Sequence, residues 1–158
     1  MQQYKINSMR LKLVTIRFLT KLLYPTSPNY TYKKVQMADE EQVKCIKEGV
    51  EQWNKWKELN PRKRPDLRGA NLNGLNLEGI NLNGARLDEA DFEFSILRKA
   101  NLAGASLVKA NLSNTDLSEA ILLNANLTGA RLTNIKTTRA DFRGANLTGA
   151  DVRQVKRG

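Results

Sequence analysis

From Pro65 to Val152 an apolar position recurs every five residues, and the register never slips. The stretch RGANLNGLNLEGINLNGARL (68–87) shows the unit. Leucine stands in the middle, with Ala, Leu or Ile two places before it, a short polar or charged residue between, and often glycine two places after. An interval of five fits neither regular backbone. On a helix of about 3.6 residues per turn, steps of five rotate each leucine by about 140° and scatter the set round the cylinder. On a flat strand five is odd, so successive leucines face opposite sides. The set gathers only if the chain turns one corner per unit and winds into a tube. Each central residue then points inward, and successive circuits stack about 4.8 Å apart, as neighbouring strands do.

The repeat runs through 18 consecutive units. The core expected from them is Leu67, Leu72, Leu77, Leu82, Leu87, Phe92, Leu97, Leu102, Leu107, Leu112, Leu117, Leu122, Leu127, Leu132, Phe142, Leu147 and Val152. The remaining central residue, Thr137, is the one polar exception. Eight of the ten glycines sit two places after a centre, where a corner needs a left-handed residue. A second pattern sets the number of sides. Alanine fills 12 of the 18 positions two places before the centre, and four of the six exceptions, Leu75, Ser95, Thr115 and Ile135, are spaced by twenty. A circuit of twenty residues, four sides, collects them in one column; a triangular circuit of fifteen does not.

The units ANLNG (70–74), ANLAG (100–104) and ANLTG (125–129 and 145–149) resemble those of the pentapeptide-repeat proteins. The preceding GVEQWNKWKELNP (49–61) resembles a short helix found before the repeats in bacterial members of that family. The resemblance implies an all-β solenoid, a right-handed quadrilateral β-helix. With the repeat count, it predicts about four and a half coils preceded by one α-helix.

Three segments follow: a basic extension over 1–36, a helix and linker over 37–64, and the repeats with a short tail over 65–158. In the second, Val43, Ile46, Val50, Trp53 and Trp56 recur at helical spacing and mark one apolar face. Asp39, Glu40 and Glu41 suit the N-terminal end of its dipole, and Asn60-Pro61 ends it. Solenoid ends need covering, so Val50, Trp53 and Trp56 are predicted to close the N-terminal mouth over Leu67 to Leu82. The C-terminal mouth has only VRQVKRG (152–158). An uncovered edge invites a second copy, and related proteins dimerise end to end, so the chain is expected to be a monomer or a weak homodimer joined through this coil.

The formal charge of +10 is concentrated at one end: residues 1–36 hold seven Lys or Arg and no acid. Residues 11–24 suit a basic amphipathic helix on a membrane surface; the alternative is a disordered extension, or a chain proper that begins at Met37. The repeats hold 12 basic and 10 acidic residues over 65–158. Some members of the resembled family mimic duplex DNA and bind topoisomerase, which needs a strongly acidic rod, so that role is disfavoured. Direct nucleic-acid binding is disfavoured too, because the arginines are interleaved with acids.

No histidine is present, and one cysteine, Cys45, excludes an intrachain disulfide and suits a reducing compartment. Cys45 reads as a packing residue, and the acids Asp88, Glu89, Asp91 and Glu93 read as solvated surface. The Asn and Asp residues before the centres read as turn-formers that bond nearby backbone. The apolar residues at outward positions, Phe94, Ile96, Ile121 and Leu123, form a candidate partner patch. These readings predict a non-enzymatic, cytoplasmic scaffold acting through protein–protein contact, without catalytic, metal or cofactor residues. The alternative is a peripheral membrane adaptor held by residues 11–24.

Overall fold

The computed structural model describes residues 38–155. The basic extension, the surface helix expected over 11–24 and the proposed start at Met37 lie outside them.

Residues 66–155 wind into a four-sided tube. Parallel bridges join residues twenty apart without a break, from Asp66 with Arg86 to Arg131 with Asp151. Each side contributes one short bridge. Asn101 donates its amide to the Ile80 carbonyl at 2.9 Å and accepts from the Leu82 amide at 2.8 Å. One circuit later, Ile121 stands in the same relation to Ala100 and Leu102. Most corners are turns in which the central carbonyl accepts from the amide three residues on, as in Ala105 to Leu102 at 3.0 Å.

The residue two places after the centre has positive φ at every corner. Glycine holds eight of these sites, as the sequence suggested. The other ten carry side chains, including Asn114, Asn124 and Asn134, whose short amides tolerate the left-handed region, and Phe94 at φ 57°. Glycine is therefore favoured at the corner but not required. Gly144 is the tightest case: its φ is +69°, and a Cβ there would stand 2.1 Å from the Asn124 side-chain oxygen.

The central residues from Leu67 to Leu132 are all buried, with the alanines and Ile80 of the adjoining column packed between them. Three residues assigned to this core depart from it. Phe142 is half-buried, Leu147 is 39% exposed and Val152 is 52% exposed. They belong to the last described circuit, and no further coil covers them among the described residues. In the column of exceptions, Ser95 and Thr115 are buried, and both hydroxyls donate to the Phe92 carbonyl, at 2.6 and 3.0 Å.

The apolar stripe over 38–60 forms two helices, not one. Helix α1 spans Glu40–Glu48 and α2 spans Val50–Leu59. Asp39 caps α1, accepting from the amides of Glu41 and Gln42. Gly49, at φ 132° and ψ 165°, breaks the run. That conformation is open to glycine alone at little cost, and it lets both helices contribute to the same end of the tube.

Candidate functional site

The tube has two unlike ends and four sides. At the N-terminal end, Trp53 is fully buried and its indole N–H donates to the Asn81 carbonyl at 2.7 Å. Trp56 packs beside it with ring centroids 5.1 Å apart, and Val50 is half-buried against the same core. Polar side chains that the apolar pattern did not single out complete this end. Gln42, 3% exposed, accepts from the Asp66 amide at 2.8 Å. Asn54 accepts from the Asn81 amide at 2.8 Å and donates to the Gly79 carbonyl at 3.1 Å. These groups take the place of a preceding coil on two sides of the edge, those that begin at Asp66 and Asn81. Their signal in the sequence is weak, because one Gln and one Asn on a helix ordinarily face water.

At the C-terminal end Leu147 and Val152 are exposed beside half-buried Phe142. No helix covers this end among the described residues.

On the sides, the Asn and Asp residues before the centres form short turns of their own. Asn71, Asn76, Asn81, Asn101, Asn111, Asn126 and Asn146 each accept from the amide two residues on. Their side-chain oxygens are thereby engaged with backbone. Three of the four acids, Asp88, Asp91 and Glu93, are engaged as well. Asp88 accepts from the Ser106 hydroxyl and the Val108 backbone amide, and Glu93 accepts from the side-chain amides of Asn111 and Asn114. Among the described residues no group of three or more His, Cys, Asp or Glu is placed to hold a metal ion. Cys45 is half-buried, and its thiol is pushed up, first by desolvation and then by Glu48, which is the opposite of nucleophile activation.

Arginine two places after an aspartate closes a second kind of turn. Arg143 donates to both oxygens of Asp141, the shorter contact at 2.7 Å, and holds that carboxyl at about 2. Asp66 beside Arg68 and Asp151 beside Arg153 are lowered for the same first reason, the side-chain hydrogen bond. A folded-state value below the ordinary 3.8 means that the pair's stabilisation is fully present above about pH 4 and is lost as pH falls through about 2. Carboxyl NMR titration is expected to give Asp141 a midpoint near 2, and Arg143→Gln is expected to return it toward the usual carboxylate range. An unchanged midpoint in Arg143→Gln would remove the assigned cause.

Of the four patch residues, Phe94 is 63% exposed, Ile96 38% and Ile121 43%, while Leu123 is half-buried. Ile96 bridges to Asn76 and Asp116, whereas Ile121 bridges to Asn101 and Asp141. Ile96 and Ile121 therefore lie on successive sides of the tube, with Phe94 at the corner before Ile96.

The family model of pentapeptide repeats matches residues 66–102, 95–134 and 124–156 in eight copies, more than half of the chain. The chain belongs to the pentapeptide repeat family, whose fold is the right-handed quadrilateral β-helix. Among solved structures it is similar to HetL, a pentapeptide repeat protein involved in heterocyst differentiation regulation in the cyanobacterium Nostoc sp. strain PCC 7120. The identity is 29% over 56% of this chain and 42% of that one, with a TM-score of 0.52. A pentapeptide repeat protein from the thylakoid lumen of Arabidopsis thaliana is 27% identical over 56% of this chain and 66% of that one, TM-score 0.47. QnrB1, a plasmid-mediated fluoroquinolone resistance protein, is 22% identical over 58% and 60%, TM-score 0.32. Of these three, HetL alone superposes closely enough to bear on the fold, and this chain spans less than half of its length. No curated protein matches the chain.

Proposed function

We infer that this protein is a non-enzymatic scaffold that works through protein–protein contact, and that its C-terminal coil joins two copies. The apolar end, uncovered among the described residues, carries this reading. Every central residue from Leu67 to Leu132 is buried by a coil or helix on each side, whereas Leu147 and Val152 are 39% and 52% exposed at the last circuit. A second copy placed end to end supplies the missing layer and extends the hydrogen-bond ladder. A tube of about four and a half coils then doubles in length and offers each side twice. Phe94 with Ile96, and Ile121 with Leu123, are the candidate contacts for a further protein.

Sedimentation equilibrium of the full chain tests the joint. The wild type is expected to be dimeric at micromolar concentrations, and Leu147→Lys with Val152→Lys is expected to be monomeric with nearly the same melting behaviour of the monomer fold. A wild type that stays monomeric at every concentration would overturn the end-to-end assignment. The side contacts are tested separately: Phe94→Ser with Ile121→Ser is expected to lose proteins that co-purify with the wild type from its native host.

A further inference from the structure

The N-terminal end carries a second feature that the cap does not use. Between Asn54 and Pro65 stand five cations, Lys55, Lys57, Arg62, Lys63 and Arg64, against one acid, Glu58. Arg62, Lys63 and Arg64 are consecutive and exposed in the connection from α2 to the first coil. The connection is held in place by its own contacts. Lys57 Nζ donates to the Lys63 carbonyl at 3.3 Å, and Arg64 Nε donates to the Gly84 carbonyl at 2.8 Å. The Lys63 ammonium stands 5.7 Å from the centre of the Trp56 ring. Lys57, Lys63 and Arg64 are thus held at the rim of the tube, with Lys55 exposed on α2 and Arg62 exposed beside them in the connection.

Leu59 lies in the same stretch. At 74% it has the greatest exposure among the large apolar side chains described. It follows Lys55 by one helical turn, on the same face of α2, and precedes Arg62 by three residues. The cations alone suit any phosphate. Leu59 narrows the choice. A nucleic-acid backbone has nothing apolar to offer it, whereas a bilayer interface presents anionic headgroups and acyl surface together. Base stacking also lacks a platform here, because Trp53 is fully buried and Trp56 is half-buried with Lys63 over its ring.

The geometry points to this rim as a docking surface for an anionic membrane, with Lys55, Arg62, Lys63 and Arg64 at the lipid headgroups and Leu59 in the interface. Docked in this way, the protein leaves its C-terminal coil turned from the bilayer and open to a second copy. The surface is built from the helix–tube junction and is distinct from residues 11–24.

Vesicle sedimentation of the full chain tests the assignment, with phosphatidylcholine vesicles prepared with and without phosphatidylserine. The wild type is expected to bind the anionic vesicles alone. Lys55→Gln with Arg62→Gln and Lys63→Gln is expected to weaken binding on the order of 100-fold, from three lost headgroup charges. Leu59→Ser is expected to weaken it about tenfold, from the lost apolar insertion. Lys55→Arg with Arg62→Lys and Lys63→Arg keeps the charge and is expected to bind as the wild type does, which separates charge from any damage to the fold. Unchanged binding in the Gln variant would overturn the assignment and transfer the contact to residues 1–36. Unchanged binding in Leu59→Ser, with duplex DNA displacing the protein from vesicles, would overturn it in favour of nucleic acid.

Discussion

Leu112→Asp is expected to leave no cooperative unfolding transition at ordinary temperatures. Leu112 is 0% exposed in the middle of the tube. The ladder places Phe92 one circuit before it and Leu132 one circuit after, through Phe92 to Asn111 and Leu112 to Arg131 hydrogen bonds of 2.8 Å each. Loss of a buried leucine alone costs about 2–5 kcal/mol. The new carboxyl adds desolvation without a partner, and it is forced to protonate or to open the coil. Folded domains are stable by only about 5–15 kcal/mol, so the sum removes most or all of the margin. The same substitution at Leu147, already 39% exposed at the last circuit, is expected to cost about 1 kcal/mol or less in the monomer. Circular dichroism melts of the two variants check the contrast. Equal melting temperatures for Leu112→Asp and wild type would contradict the inward position of Leu112.

Trp53→Ala is expected to cost about 3–5 kcal/mol, and the loss is expected to fall unevenly along the tube. Trp53 fills the mouth and satisfies the Asn81 carbonyl at 2.7 Å. Its removal exposes Leu67 to Leu82 and leaves that carbonyl to water. Coils are supported chiefly by their neighbours, so the damage starts at this end. Hydrogen exchange is expected to show the amides of Leu72, Leu77 and Leu82 losing protection before those of Leu112 and Leu117. Trp53→Phe keeps most of the bulk and is expected to cost about 1 kcal/mol for the lost hydrogen bond. Uniform loss of protection along the tube, or none, would contradict the capping role.

What the sequence disclosed was the part governed by repetition. The interval of five demanded a corner per unit, and the spacing of Leu75, Ser95, Thr115 and Ile135 pointed to four sides, which the bridges twenty residues apart describe directly. What it hid depends on the ends, where repetition stops. Leu147 and Val152 have the pattern of core residues, yet burial needs a following coil, and the repeat cannot announce its own last turn. Gly49 was concealed for another reason. Val43, Ile46, Val50 and Trp53 keep helical spacing across it, and a single glycine inside a helix costs only about 1 kcal/mol. The break appears only when the two helices must fit one square mouth. Gln42 and Asn54 were missed because a polar residue next to an apolar stripe normally faces solvent, whereas here the open edge of the first coil supplies buried donors and acceptors.

The candidate contact residues were legible only as departures from the repeat. Phe94, Ile96, Ile121 and Leu123 stand where polar residues are usual, but the placing of Ile96 and Ile121 on two successive sides follows from the circuit length. The basic run at 62–64 was visible, but its fixation beside exposed Leu59 needed the geometry of α2 and the Arg64 contact with Gly84.

Hydrogen-bond scalar coupling between amide nitrogen and carbonyl carbon tests the winding most directly. A four-sided circuit couples Leu87 to Ser106, Leu107 to Asn126 and Leu112 to Arg131, the pairs joined here at 2.7, 2.7 and 2.8 Å. Couplings between those pairs are the predicted result. Coupling of Leu87 to Asn101 instead, as a three-sided circuit requires, would contradict the account.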